Sequence, residues 1–520
     1  PEPLDGYAQW LLEQMRSGLH VAIFGNPGLS PAGPEARTLG LSWVAASSFE
    51  PTHVVSSDRM VDFEAAVPAR PFDGPLLALR SPGAGLHLEL ADASGRRGVA
   101  VATTEWGGLA SSHVLALRGL EGSRAWVLDP FEFLSEALAL PPVPEPDLTT
   151  ENGRRVALFV IRASGLSWPA RAPGAPATFR ALRDQILARY PWPHALDLAP
   201  TAGSAPSRED LAAARQLLER PQSSRAIELE PGTASLRREH ASLTELEPAA
   251  REGDHGLALL GPVAWDLSYL APHLDEAFPF ARVRETLEYT EHPRRLTPIL
   301  LDYHGFLAAS SGGLATLDAL YRYVEAREPY FLTLEQYRAR VEAFRQQVVT
   351  RQLDGSLRYH GGEMLSTLRI PPLFGTPDLQ RSRGVVALRQ IPQAVYASFG
   401  PGTERVLVPG RGQTEWPHLT DTNARILASS AAVGEAPAEG ADMNRIIERL
   451  DFELDGALPV QIGFGGLGAD ARCRLLAGRT LREGVADHAG EWRVSLPHRA
   501  HGVLHLSCTR SVELARREPS

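Results

Sequence analysis

Val156-Ala157-Leu158-Phe159-Val160-Ile161-Arg162-Ala163-Ser164-Gly165 decides how this chain is read. An unbroken apolar run rich in β-branched and aromatic side chains predicts a strand covered on both faces, as in a parallel sheet. The residues just past such a strand stand where α/β folds build their sites. Here they are a cation, a methyl, a hydroxyl and a turn residue, with no acid among them.

Working outward, residues 148–352 alternate strand and helix signals. Strands are predicted at 226–229, 257–260 and 297–303, and helices at 179–190, 283–289 and after Gly312-Gly313. Ser207-Arg208-Glu209-Asp210 and Thr333-Leu334-Glu335-Gln336 read as capping boxes opening two more helices. This alternation predicts a parallel sheet or an incomplete (β/α) barrel. Residues 1–147 read as a Rossmann-like α/β domain, with strands at 20–24, 75–79, 98–102 and 125–128 and helices at 7–15 and 130–140. The proline-rich stretch 141–146 marks its boundary.

After Leu353 the period changes to two. Short strands at 357–360, 385–388, 395–399, 406–408, 451–454, 460–464, 492–496 and 503–507 predict a β-sandwich over 353–520. The Ala, Gly and Glu content of 429–440 predicts a loose loop.

Composition narrows the function. The net charge is −10 and all 52 basic residues are Arg. A chain without lysine has no P-loop lysine and no Schiff base. No basic patch rises above the acidic background, which argues against nucleic acid. No apolar run reaches the roughly 18 residues that a spanning helix needs. The chain opens at Pro1 and reads as a mature or excised piece of something longer. Strand alternation turns Cys473 and Cys508 to the apolar side. They either pair, contributing about 3–4 kcal/mol in an oxidising compartment, or remain two buried thiols.

The central run and its surroundings resemble the Pel exopolysaccharide deacetylase family. The likeness rests on Trp106-Gly107-Gly108, Leu128-Asp129-Pro130-Phe131 and Thr149-Thr150-Glu151-Asn152-Gly153-Arg154-Arg155. It continues through Phe278-Pro279-Phe280-Ala281, Glu291-His292-Pro293-Arg294-Arg295-Leu296 and Tyr303-His304 to Leu365-Ser366-Thr367-Leu368-Arg369 and Pro377-Asp378-Leu379-Gln380-Arg381-Ser382-Arg383-Gly384-Val385. The resemblance implies a periplasmic or secreted protein acting on an N-acetylgalactosamine-rich polymer, with a tetratricopeptide export scaffold as a further partner. It also implies an Asp-Gly-Asp motif after the central strand, supplying a metal ligand and a general base, and a later His pair. Here the acids are replaced by Arg162-Ala163-Ser164, and the later region around 226–232 holds no His. The stretch between Glu239 and Trp265 is short for the family's substrate cap.

The expectation is therefore a catalytically inactive deacetylase homologue with no cofactor, binding or guiding an amino-sugar polymer or scaffolding its periplasmic export machinery. The rival is an active zinc-type deacetylase rebuilt from Glu228, Glu230, Asp302 and His304. Asp302 with His304 is the residual catalytic candidate, and Arg162, Glu228, Glu230, Trp168 and Trp192 are substrate-binding candidates. Trp168 and Trp192 stand in Pro-rich loops, where an indole face packs against sugar CH groups. Trp106 and Trp126 read as packing residues. His498, His501 and His505 fit no standard zinc spacing. Gly463-Phe464-Gly465-Gly466-Leu467-Gly468 matches a dinucleotide fingerprint in letters, but a strand follows it where a helix is required.

Overall fold

The computed structural model describes residues 6–30, 33–45, 51–67, 76–118, 124–169, 177–197, 207–218, 227–229, 283–292, 294–362, 364–402, 404–410, 416–437, 443–456, 459–497 and 500–513. The fold is mixed α/β, with strands in several sheets outweighing the helices. Two compact units share the chain. The first takes in Pro1–Pro142 and Arg282–Arg295, and the second takes in Val143–Arg237 and Leu296–Ser520. No helix among the described residues is long and apolar enough to cross a membrane.

The first unit is built on one sheet in the order Val21–Phe24, Gly107–Ala110, Arg97–Thr104, Leu76–Leu79, Leu41–Ala45, with Gly85–Ala91 and His53–Ser57 attached. Among the described residues of this sheet, only Val21–Phe24 and Gly107–Ala110 run parallel. The Rossmann-like expectation is corrected here, because the remaining pairs are antiparallel. The cause is local: Glu105-Trp106 turns Arg97–Thr104 straight back into Gly107–Ala110, and a hairpin needs no crossover helix. A Cβ on Gly107 would lie 1.9 Å from the Val21 carbonyl oxygen, so glycine lets the one parallel neighbour approach. Helices cover both faces. Phe133 and Ala137 of Pro130–Ala137 pack with Leu88, Val101 and Val127, while Leu11 and Leu12 of Tyr7–Arg16 pack with Ile23, Leu77 and Leu109. Trp126 is buried, and Trp106 packs against the second of these cores.

The second unit begins with the central strand, Arg154–Arg162, buried at all nine positions. It runs parallel to Ala195–Asp197 on one side and Ile299–His304 on the other, with Ile227–Leu229 beyond Ala195–Asp197. Tyr330–Phe331 adds a short parallel pairing near the start of the central strand. Among the described residues this sheet is open. The strand expected at 257–260 lies outside the described residues. The helix expected at 179–190 is α-helical over Thr178–Leu182 and widens to a π-helix over Arg183–Leu187. Gly312 and Gly313 lie inside the helix Ser311–Glu325 rather than before it. Ser310 caps this helix by accepting from Gly313 N, and a Cβ on Gly313 would lie 1.8 Å from the Leu307 oxygen. Both predicted capping boxes form: Ser207 with Asp210, and Thr333 with Gln336.

Beyond it two antiparallel-rich sheets share one apolar core. Ile462, Phe464 and Trp492 come from one sheet, and Phe452, Leu475, Leu504 and Leu506 from the other. The loop expected at 429–440 is corrected: Arg425–Pro437 is a strand paired along its length with Met443–Asp455. Backbone hydrogen bonds make the ladder, so a strand of small residues holds once a long partner fixes it. Cys473 and Cys508 face each other on neighbouring strands and form a disulfide. Arg154 fastens the central strand to the β-rich part by donating from Nε and Nη2 to Asp421 Oδ1, at 3.2 and 2.7 Å, with both side chains buried.

Candidate functional site

The central strand and Ile299–His304 place Arg162 opposite His304 and Val160 opposite Asp302. In-register residues of a parallel pair share a face, and the period is two. Arg162, Asp302 and His304 therefore stand on one face of the sheet at its C-terminal edge. Arg162 closes on Asp302 in a forked geometry: Nε donates to Oδ1 at 2.8 Å and Nη2 to Oδ2 at 2.7 Å. The two side chains are 5% and 3% exposed. A planar guanidinium matched to both carboxylate oxygens is the strongest form of such a pair.

The segment after Arg162 is shaped to lie against Phe306. Gly165 has φ +79°, and a Cβ there would be 2.4 Å from the Phe306 Cβ. Phe306 N donates to Ser164 O at 3.1 Å. Phe306 stacks on His304 at 5.0 Å between ring centroids, and Trp168 stacks on Phe306 at 5.7 Å. Exposure falls along this stack from 41% at Trp168 through 5% at Phe306 to 2% at His304. Trp168 is further held by Thr178, whose N and Oγ1 both donate to its carbonyl oxygen. Asp210 accepts from Ser167 N at 2.8 Å. Burial raises the Asp210 carboxyl, but hydrogen bonds from the Ser167 and Ser207 backbone together outweigh it and hold the group below the usual carboxylate range.

These residues do not fit a divalent cation. Asp302 already carries its counter-charge in the permanently cationic Arg162 guanidinium, which bonds both of its oxygens and would repel a cation brought beside it. The two residual catalytic candidates differ in their surroundings. Asp302 faces Arg162, and His304 lies beneath Phe306, away from solvent.

The other candidates separate. Trp192 is corrected from a sugar-facing loop residue to a core residue, 6% exposed and stacked on Tyr321 at 5.5 Å and Phe331 at 4.6 Å. Beside it His194 donates from Nδ1 to Trp192 O and accepts at Nε2 from Tyr321, whose hydroxyl meets that of Tyr303. Burial lowers His194 to about 4, so the ring is neutral. The Glu228 backbone pairs with Leu196, three strands from Ile299–His304 and therefore ~14 Å away at the usual strand spacing. Glu230 lies outside the described residues. The structure thus brings Arg162, Asp302, His304 and Trp168 into one region and leaves Glu228 elsewhere.

Two features were missed in the sequence. Phe306 links Trp168 to His304, and its only signal was an aromatic directly after the strand-end Tyr303-His304-Gly305. In the first unit, buried His87 meets Asp58 through Nδ1 and Thr103 through Nε2, each at 2.8 Å, and Thr103 reaches Glu136 at 2.7 Å. These residues are far apart in sequence, and no motif joins them. His501 and His505 pair with Asp455 and Asp451 across neighbouring strands, while His498 lies outside the described residues.

Comparison with protein-family models, with curated proteins and with solved structures finds no match for this chain.

Proposed function

We propose that this chain is a Pel-type polysaccharide deacetylase homologue turned from chemistry to binding. On this reading the open parallel sheet is an incomplete (β/α) barrel of polysaccharide-deacetylase type. The protein works in the periplasm or outside the cell, holding or guiding an amino-sugar exopolysaccharide, with a tetratricopeptide export scaffold as its protein partner. The observation that supports the reading is the buried Arg162–Asp302 ion pair at the end of the central strand, where the resemblance would have an acid. The exposed Trp168, seated on Phe306, supplies an aromatic surface of the kind that packs against sugar CH groups.

The test is calorimetric titration of the folded chain with N-acetylgalactosamine and partly deacetylated oligomers. Binding that weakens about tenfold in Trp168→Ala, with an unchanged melting temperature, is expected from the loss of one aromatic platform. Absence of binding to any amino-sugar oligomer contradicts the proposal.

A further inference from the structure

A cavity of about 320 Å³ lies in the β-rich part of the second unit, remote in sequence from Arg162 and Trp168. Its origin is a set of irregular pairings. Val385–Ile391 meets the parallel strand His418–Thr422 through one residue pair, Ala387 with Leu419. The register of Val385–Ile391 against its other neighbour shifts at Val386, and that of Arg425–Pro437 against Met443–Asp455 shifts at Leu427. Bulges bend strands away from one another, and both shifted residues line the opening that results.

The chemistry of the lining is selective. Ser382 and the half-buried Ser429 bring hydroxyls, Trp416 an indole and His418 an imidazole; Ser430, next along the strand, is exposed, and the remaining lining residues are aliphatic, Gly or Pro. Among the described residues no Asp, Glu, Lys or Arg lines it. Ser382 Oγ accepts from Val408 N at 3.0 Å, which leaves its own proton to donate. Ser429 and Ser430 have no side-chain hydrogen-bond partner among the described residues. His418 Nδ1 donates to Trp416 O at 2.7 Å, and burial lowers its pKa, so the ring is neutral. The Trp416 backbone is fixed as well, since a Cβ on Gly466 would lie 2.2 Å from its carbonyl oxygen.

A charged ligand is poorly served here. An ammonium or a phosphate taken from water into a site without a counter-charge costs several kcal/mol. An uncharged ring with hydroxyl and amide groups finds donors, acceptors and apolar contact together, in a volume near the lower end for small-molecule sites of about 300–1,000 Å³.

We propose that this cavity binds one uncharged sugar residue and prefers an N-acetylated hexosamine to its free-amine form. The choice of an amino sugar rests on the proposed function, while the preference for an uncharged ring rests on the lining alone. The chain would then hold the acetylated stretches of a partly deacetylated polymer at a place separate from Trp168.

The experiment is saturation-transfer NMR and calorimetry on the full chain at neutral pH with N-acetylgalactosamine, galactosamine and glucose. N-acetylgalactosamine is expected to bind about tenfold more tightly than galactosamine, from the unpaired ammonium. Ser429→Leu, which fills the cavity, and Trp416→Ala should each weaken it about tenfold or more. Galactosamine bound as well as the acetylated sugar overturns the proposal, and so does binding that neither cavity variant alters. Oligomer binding lost only in Trp168→Ala leaves the proposed function standing and removes the cavity site. Glucose bound as well as N-acetylgalactosamine, with loss in Ser429→Leu, keeps a neutral-sugar site and removes the amino-sugar preference.

Discussion

Arg162 reaches across a parallel strand pair to Asp302, two residues out of register, and engages both carboxylate oxygens from Nε and Nη2. The residue that ends the central strand thereby neutralises the one acid beside it on Ile299–His304. Taking either partner away removes the counter-charge that meets the other in this buried pair.

Single removal is therefore expected to be costly. Arg162→Ala or Asp302→Asn should each lower unfolding free energy by about 3–5 kcal/mol. The double replacement Arg162→Met with Asp302→Leu should recover most of that loss, because apolar residues of similar volume replace buried ion pairs at little cost. Denaturant unfolding of the three variants measures this.

The two units should respond to pH in opposite directions. Burial pushes Glu64 up from 4.5 to about 7, against one hydrogen bond from Trp126 N. A raised acid pKa binds more protons in the folded state. Its contribution is complete below the unfolded value near 4.5 and is lost as pH rises through about 7. His194, lowered from 6.5 to about 4, behaves inversely: its contribution is present above 6.5 and is lost as pH falls through about 4. Each amounts to about 3 kcal/mol. Hydrogen exchange read unit by unit between pH 7 and pH 5 should show the first unit gaining protection and the second losing it. Glu64→Gln should flatten the first trend.

The disulfide closes a loop with a sequence separation of 35. Cys508→Ser should cost about 4 kcal/mol on the chain-entropy account. The same loss should follow when wild type is unfolded in reductant, and the variant itself should be insensitive to reductant.

Gly165→Ala should cost about 1–3 kcal/mol, since both its positive φ and its contact with Phe306 exclude a side chain. The near-ultraviolet dichroism of the Trp168–Phe306 stack should diminish with it.

Much of this was legible in the chain and some was not. The run at 156–161 announced the central strand because burial on both faces demands an unbroken apolar sequence, and all nine positions from Arg154 to Arg162 are buried. Period-two alternation located the later strands for a similar reason. The first unit misled because strand signals are blind to direction, and Glu105-Trp106 turned a presumed crossover into a hairpin. The strand Arg425–Pro437 was hidden because its small residues mark no face, and only its partner Met443–Asp455 defines it. At the site, Arg162 was visible as an anomaly, but its engagement of Asp302 depends on a pairing that no local signal specifies. Trp192 looked available because its flanking prolines suggest a loop, while the rings of Tyr321 and Phe331 that cover it come from more than 120 positions later.

The central claim is that this site binds and does not react. Acetate release from N-acetylgalactosamine oligomers, measured on folded protein with zinc, cobalt or nickel supplied, tests it most directly. No release above the metal-only background, from a sample that binds the oligomer, is the predicted result. Metal-dependent release that disappears in His304→Ala would contradict it.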